Sequence, residues 1–219
     1  MSAIPVDILY LLDKKLKKNG KMIMEPIILA SASPRRQEIL KNLNIPFKIM
    51  FPDAEETIPE DMKLEDAPEY LATKKVQSVI KMFPPEQTIP WILGADTAII
   101  YKDKLYGKPE NAAEAEEFLH TFSGHTHQVV SAIALFNGKL NYLDTKVSVN
   151  QVTFKKLTDK EIQWYLDTDE WHGVAGGYRI QGKAQLFIKN IKGSFSSIMG
   201  LSISDFYEIM QSHNYSIIE

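Results

Sequence analysis

Apolar residues recur along this chain with two different periods, and the switching between them sets out an order of elements. Ile27-Ile28-Leu29-Ala30 is a continuous apolar run, as a short strand buried on both faces requires. Ser33 and Pro34 follow as a helix-start signal, and Ile39, Leu40 and Leu43 add an apolar stripe, so a helix is expected over 34–43 and a strand over 46–50. Ala72, Val76, Val79, Ile80 and Phe83 lie at helical spacing and predict a longer helix over about 66–82. "PWILGAD" reads as a buried strand ending at Asp96, with 97–101 continuing past a kink. Asn111 is placed to cap a helix with Ala115, Phe118, Leu119 and Phe122 on its inner face and Glu114 in the reciprocal capping position.

"HQVVSAIALF" is apolar on both faces, as a central strand is. Asn137-Gly138 marks a tight hairpin turn. The returning segment carries Val147 and Val149 and then Val152 and Phe154, a phase change that predicts a bulge. Thr158-x-x-Glu161 is a capping box opening a helix to about 166. A Gly-rich stretch over 173–182 precedes a strand near 185–191, and a last helix occupies about 202–213. Alternating elements with a central hairpin give an α/β protein with a mixed sheet, without internal repeats or low-complexity linkers.

Composition narrows the classes. The 219 residues suffice for one large domain or two lobes sharing a cleft, and 44% hydrophobic with 24% charged residues is ordinary for a globular protein. A formal net charge of −3, with neither a basic stripe nor an aromatic platform, argues against a nucleic-acid partner. The absence of cysteine excludes disulfides and cysteine-ligated metal and is consistent with a cytoplasmic location. No apolar run approaches bilayer-spanning length, so no membrane partner is expected. "VDILYLLDKKLKKNGK" places its apolar residues before its basic ones, the reverse of a secretory signal. A short amphipathic helix or loose arm is expected there, making 1–26 an extension and 27–219 the domain.

Candidate chemistry begins with charge in an unfavourable place. Arg35 and Arg36 fall in the first turn of the 34–43 helix, where unpaired N–H groups already gather positive charge, so an anion is expected nearby. Asp96 stands at a strand's carboxyl end after Gly94 and Ala95. It either starts a turn or holds a divalent metal or activates a water. "FPDAEET" supplies Asp53, Glu55 and Glu56, a solvated loop or a second set of hard oxygen ligands. Lys75, beside Leu71 and Val79, and Lys108, in "GKPEN", are solvated lysines taken singly. With Arg35 and Arg36 they could cradle several phosphates.

Other patterns fail on inspection. Gly177 to Ala184 nearly spells a phosphate-binding loop, but Ala184 replaces the required hydroxyl and a strand follows where a helix is needed. The pair His125 and His127 at a strand edge is expected to be structural or exposed. No nucleophile elbow or Ser-His-Asp order occurs.

Eight separated blocks, "LASASPRRQEIL", "AEE", "LATKK", "LGADT", "GKPENAAEA", "FSGHTHQVVSAIAL", "AGGYRIQG" and "IKGSFSSIMGLSISDF", resemble the Maf family in sequence and order from about residue 27 onward. The resemblance implies an inosine-triphosphatase-like α/β fold, with a mixed sheet, flanking helices and a central cleft between two lobes. It implies a nucleoside triphosphate pyrophosphatase that cleaves between the α and β phosphates with a divalent metal, Mg²⁺ or Mn²⁺. "YRIQG" resembles the branch acting on dTTP and UTP. By matching positions, Asp96 is the implied proton acceptor, Arg35, Thr97 and Gln181 the specificity positions, and Glu56 and Asp96 the metal ligands. Ser31, Arg36, Lys75 and Lys108 are implied to bind phosphate, with Lys75 and Lys108 on the leaving pyrophosphate and Arg35 also reaching phosphate oxygens. A homodimer is implied as well. Val174 departs from the family, where many relatives carry lysine. The alternative is a nucleotide-binding regulator of cell division or septum formation, but two acidic positions beside four cations favour an enzyme.

Overall fold

The apolar run Ile27-Ile28-Leu29-Ala30 forms β1 (Ile27–Leu29), which is fully buried. In the computed structural model, the described residues are 17–18, 21–22, 25–213, 215 and 217. Apart from a short antiparallel pairing of Lys17–Lys18 with Lys21–Met22, the amphipathic helix or arm expected before β1 lies outside the described residues. After β1 come α1 (Pro34–Asn42), β2 (Phe47–Ile49), α2 (Ala67–Ile80), β3 (Ile92–Tyr101), β4 (Lys104–Tyr106) and α3 (Ala112–Phe122). The chain continues through β5 (Thr126–Asn137), β6 (Tyr142–Phe154), α4 (Asp159–Leu166), β7 (Ile188–Lys192), α5 (Phe195–Met199) and α6 (Ile203–Ser212).

These strands make a seven-stranded sheet in the order β2-β1-β3-β5-β6-β7, with β4 also on β3. The β2–β1–β3 part is parallel and the remainder antiparallel, which is the mixed sheet the element order implies. One face is covered by α2, through Ala72, Val76 and Val79 against Ile28, Ile92 and Ala134. The other is covered by α1 and α6, through Ile39, Leu40, Phe206 and Met210 against Ile27, Leu93 and Ile133. A third cluster at the far end joins Phe118 and Phe122 of α3 to Phe154, Tyr165, Tyr178 and Phe187. Truncating a side chain such as the fully buried Phe122 to alanine costs about 3–5 kcal/mol. No helix among the described residues is long and apolar enough to cross a membrane.

Local departures from the expected pattern have identifiable causes. β3 runs unbroken from 92 to 101, because β5 pairs with it residue by residue from Ile92 to Ile100, and no kink interrupts it. The phase change on β6 is not a bulge against β5, whose register is continuous. Val147 and Val149 face solvent, whereas Val152 and Phe154 enter the core, and the only irregularity lies against β7 at Thr153/Phe154. The turn after Asn137 takes four residues, 138–141, before Tyr142 pairs with Asn137. Asn137 Oδ1 accepts from the N–H groups of Lys139 and Leu140 there. Gly138 is needed because a Cβ would sit 1.8 Å from the Ile89 carbonyl oxygen.

The Thr158 and Glu161 capping box forms as expected. Asn111 caps α3, but Glu114 reaches back to the N–H of Glu110 rather than of Asn111. The strand near 185–191 starts later, at Ile188, after a 3₁₀ turn over Lys183–Phe187. Residues 195–199 form a separate short helix before α6, and β4 is an additional strand too short to carry a period.

An opening along one edge of β3 positions the site. One edge of β3 is paired with β5 almost throughout. The other edge carries β1 at Ile92 and Leu93 and β4 at Ile99 to Tyr101. Between these neighbours, residues 94–98 have no strand on that edge among the described residues, at the carboxyl end of β1, where α/β sheets bind ligands.

Candidate active site

Asp96 and Thr97 lie in that opening and, on a strand, point to opposite faces. Asp96 meets α2 because Gly94, two residues earlier on the same face, has no side chain. A Cβ there would lie 2.5 Å from the Ala72 carbonyl oxygen and 2.7 Å from Val76 Cγ2. This close approach brings Lys75, one helical turn beyond Ala72, onto Asp96. Lys75 Nζ lies 2.5 Å from Asp96 Oδ1 and 2.8 Å from Glu56 Oε1, and the lysine is only 7% exposed. One buried ammonium therefore joins carboxylates from two distant segments. The Lys75 hydrogen bond holds the Glu56 carboxyl below its ordinary range. Burial opposes this, and the charges of Lys75, Lys108 and Arg36 reinforce it.

Thr97 faces the α1 side. Its hydroxyl is 3.0 Å from Ser131 Oγ, and Ser131 donates its own hydrogen to the Ser197 carbonyl at 2.7 Å. Ser131 has no second hydrogen to give, so Thr97 is the donor to Ser131 and keeps its free acceptor capacity for the cavity.

The first turn of α1 behaves as its charges require. Ser33 is at the cap position, yet its side chain makes no capping bond, and the turn contains no acidic residue. Arg36 is buried, with Nε donating to the Gly200 carbonyl at 2.8 Å and Nη1 to Ser31 Oγ at 2.9 Å. Burial pushes its guanidinium pKa down, while Asp96 and Glu56 pull it back up. Arg35 is lowered to about 10 by burial first, then by the charges of Arg36 and Arg179, so it remains cationic at neutral pH. Ser31 accepts from Arg36 and from the Ser33 N–H, which leaves its own hydrogen free.

The nine residues that the family resemblance implies for the site, Ser31, Arg35, Arg36, Glu56, Lys75, Asp96, Thr97, Lys108 and Gln181, all line one cavity of 810 Å³. Lys108 and Glu56 are the exposed members of the set, and Lys108 lies on a loop held by the bond from Gly176 N–H to the Gly107 carbonyl. Gly176 adopts φ +69°, and a Cβ there would meet Ile99 Cδ1 at 2.4 Å, so the loop closes only with glycine. Gln181 presents a buried Oε1 with no hydrogen-bond partner among the described residues. Of the acidic loop, all three carboxylates are exposed, but Glu56 lines the cavity and Asp53 and Glu55 do not.

The two histidines separate into the two expected kinds. His125 stacks on Tyr101 at 5.7 Å, and His127 is buried, bonded to Tyr178 Oη at 2.7 Å, with burial lowering its pKa to about 3. Gly182 and Lys183 make no phosphate loop. The Lys183 N–H donates to Glu170 Oε2, and a 3₁₀ turn and a strand follow.

Three contributors were not singled out in the sequence. Ser131 lies inside the apolar run of β5, and Gly200 acts through its carbonyl, so neither carries a side-chain signal. Arg179 also lines the cavity, and its signal is its place two residues before Gln181.

The arrangement can bind a polyanion beside two carboxylates. Among the described residues no group of three or more His, Asp or Glu side chains is placed to hold a metal ion. Glu56 and Asp96 together form a two-carboxylate donor set. This suits Mg²⁺ or Mn²⁺, which take one or two carboxylates and complete their shell with substrate oxygens and water.

The family described as "Maf-like protein" matches residues 26–213. A protein of Treponema denticola named dTTP/UTP pyrophosphatase is 40% identical over 203 residues, covering 89% of this chain and 100% of the relative. One of the same name from Desulforamulus reducens is 37% identical over 195 residues, covering 89% and 100%. Another from Bacillus cytotoxicus is 40% identical over 181 residues, covering 83% and 92%. Among solved structures, a Mycobacterium abscessus nucleoside-triphosphatase / dITP/XTP pyrophosphatase matches with a TM-score of 0.35 and 15% identity over 59% of this chain and 72% of that one. The Staphylococcus aureus Ham1 protein matches with a TM-score of 0.39 and 17% identity over 61% and 72%.

Proposed function

The chain belongs to the Maf family, and from that membership we propose that it is a nucleoside triphosphate pyrophosphatase hydrolysing dTTP and UTP to the monophosphate and pyrophosphate. The observation that carries this is the gathering of Arg35, Arg36, Lys75 and Lys108 with the Glu56 and Asp96 carboxylates around one nucleotide-sized cavity.

Water attacks the α-phosphorus, the bond to the α–β bridging oxygen breaks, and pyrophosphate leaves with the bonding electrons. Asp96 orients the water and accepts its proton. The uncapped first turn of α1 and Arg35 receive phosphate oxygens, assisted by the Ser31 hydroxyl hydrogen. Arg36 spends two donors on Gly200 and Ser31 and acts mainly as a fixed buried charge beside the phosphates. Lys75 balances Asp96 and Glu56 before substrate arrives and, with Lys108, offers positive charge to the leaving pyrophosphate. Glu56 and Asp96 would hold a divalent cation, Mg²⁺ or Mn²⁺, whose chemistry is to neutralise charge on the phosphoryl oxygens. Thr97 offers an acceptor for the N3–H of uracil or thymine, and the Gln181 amide offers a donor and an acceptor to the same edge.

A homodimer belongs to the same proposal. Val147 and Val149 are exposed on β6, whose outer edge over 142–150 has no strand beside it among the described residues. A cytoplasmic location agrees with the absence of cysteine. A nucleotide-binding regulator of division could use this cavity, but binding alone gives no role to the paired carboxylates. Assay of pyrophosphate release from dTTP, UTP, CTP and purine triphosphates with and without Mg²⁺ tests the proposal. Preferential, metal-dependent release from dTTP and UTP is expected, and orthophosphate release or binding without turnover would overturn it.

A further inference from the structure

We propose that Arg179 is a substrate-binding residue of this cavity, acting beside Arg35 on the terminal, pyrophosphate end of the bound triphosphate. The proposal rests on the pyrophosphatase reading and adds a residue to it. Tyr178 and Ile180 anchor this segment in the core cluster around Phe122, and all four residues from Tyr178 to Gln181 line the cavity. The Arg179 guanidinium is held in place by carbonyls. Nε donates to the Glu170 carbonyl at 2.8 Å and Nη2 to the His172 carbonyl at 3.2 Å, and the Arg179 N–H donates to Tyr165 Oη at 2.9 Å. Glu170 is itself fixed, its carboxylate accepting from the Lys183 N–H at 2.7 Å. Two of the five guanidinium hydrogens are thus used, and three have no acceptor among the described residues.

The charge pattern shows what those hydrogens await. None of the ion pairs among the described residues involves Arg35, Arg36 or Arg179. The charges that act on Arg36 are those of Asp96 and Glu56, but those that act on Arg35 are the two cations Arg36 and Arg179. Arg35 and Arg179 thus line the same cavity as cations that no carboxylate among the described residues pairs with. A triphosphate bound in the cavity supplies the anion that both guanidinium groups lack. Repulsion between two half-buried guanidinium groups without a counter-carboxylate is relieved by an anion more fully than by a neutral base carbonyl.

The test uses the full-length protein, UTP as substrate, and inorganic pyrophosphate and UMP as separate probes. Arg179→Gln keeps a donor for the loop carbonyls and removes the charge, whereas Arg179→Lys keeps the charge and removes the fork. Arg179→Gln should raise KM for UTP and the inhibition constant for pyrophosphate about tenfold, with smaller effects on kcat and on UMP binding. Arg179→Lys should recover part of the pyrophosphate affinity. Equal weakening of UMP and pyrophosphate, together with a lowered unfolding temperature in both variants, would assign Arg179 a structural role and overturn the proposal. Altered UTP over CTP preference with unchanged pyrophosphate binding would place it on the base and also overturn it. If the wild-type protein releases no pyrophosphate from any triphosphate, the pyrophosphatase reading fails, and the pyrophosphate-binding comparison still decides the role of Arg179.

Discussion

Lys75 Nζ lies 2.5 Å from Asp96 Oδ1, a contact between a helix and a strand that depends on the bareness of Gly94. Helix α2 approaches β3 so closely at this point that a methyl group would overlap the Ala72 carbonyl. The ammonium then reaches both Asp96 and Glu56.

Gly94→Ala should therefore damage stability and chemistry together. Overpacking at a site closed by backbone costs about 1–3 kcal/mol and lowers the unfolding temperature by several degrees. Moving α2 outward also separates Lys75 from Asp96, so kcat should fall as well. Calorimetry and UTP turnover on one preparation check this, and an unchanged melting temperature would refute the tight contact.

Removing the ammonium should release Glu56. The wild-type Glu56 pKa is held down by Lys75, so its stabilising contribution is complete above the ordinary glutamate pKa of about 4.3 and is lost as pH falls through the lower folded value. The Glu56 side chain is 56% exposed, so the effect on stability is small and the titration itself is the better readout. In Lys75→Met the Glu56 pKa should rise, as followed by carboxyl ¹³C NMR. An unmoved titration would remove Lys75 as the cause.

His127 predicts an acid limb in stability. Burial lowers its folded pKa to about 3, below the ordinary 6.5, so the unfolded chain binds the extra proton first. Stability should decline below pH 6.5 by up to about 1.4 kcal/mol per pH unit from this group, until pH reaches the folded value. Urea unfolding at several pH values should show this slope, and His127→Gln should flatten it. An equal slope in the variant would assign the acid sensitivity elsewhere.

Much of this architecture is legible in the sequence because burial leaves a periodic trace. The apolar runs of β1 and β5 and the stripes of α2 and α3 report one buried face or two. The Thr158 and Glu161 capping box reports a helix start by chemistry that is local. What escaped detection depends on nonlocal contact. β4 is three residues long, and the turn after Asn137 is shaped by Ile89 from another segment. The kink expected after Asp96 is absent because β5 pairs straight across it. In the site, charged residues in anomalous places were readable one by one. That Lys75 pairs with two carboxylates, and that Ser131 sets the polarity of Thr97, depends on neighbours far away in the chain.

Gln181 should govern choice of base more than chemistry. Its buried Oε1 has no hydrogen-bond partner among the described residues, so truncation to alanine removes an amide that no intramolecular bond holds through that oxygen. Gln181→Ala should narrow the gap in kcat/KM between UTP and CTP about tenfold or more. Equal losses on every nucleotide would count against base recognition.

The central claim is that the Asp96 carboxylate, set in the opening of the sheet, directs water onto the α-phosphorus. The most direct measurement is UTP turnover by Asp96→Asn, a variant of the same shape without the charge, with UTP binding and thermal unfolding recorded alongside. The expected result is a fall in kcat of about a hundredfold or more in a protein that still folds and binds UTP. A folded Asp96→Asn enzyme turning over UTP at the wild-type rate would contradict it.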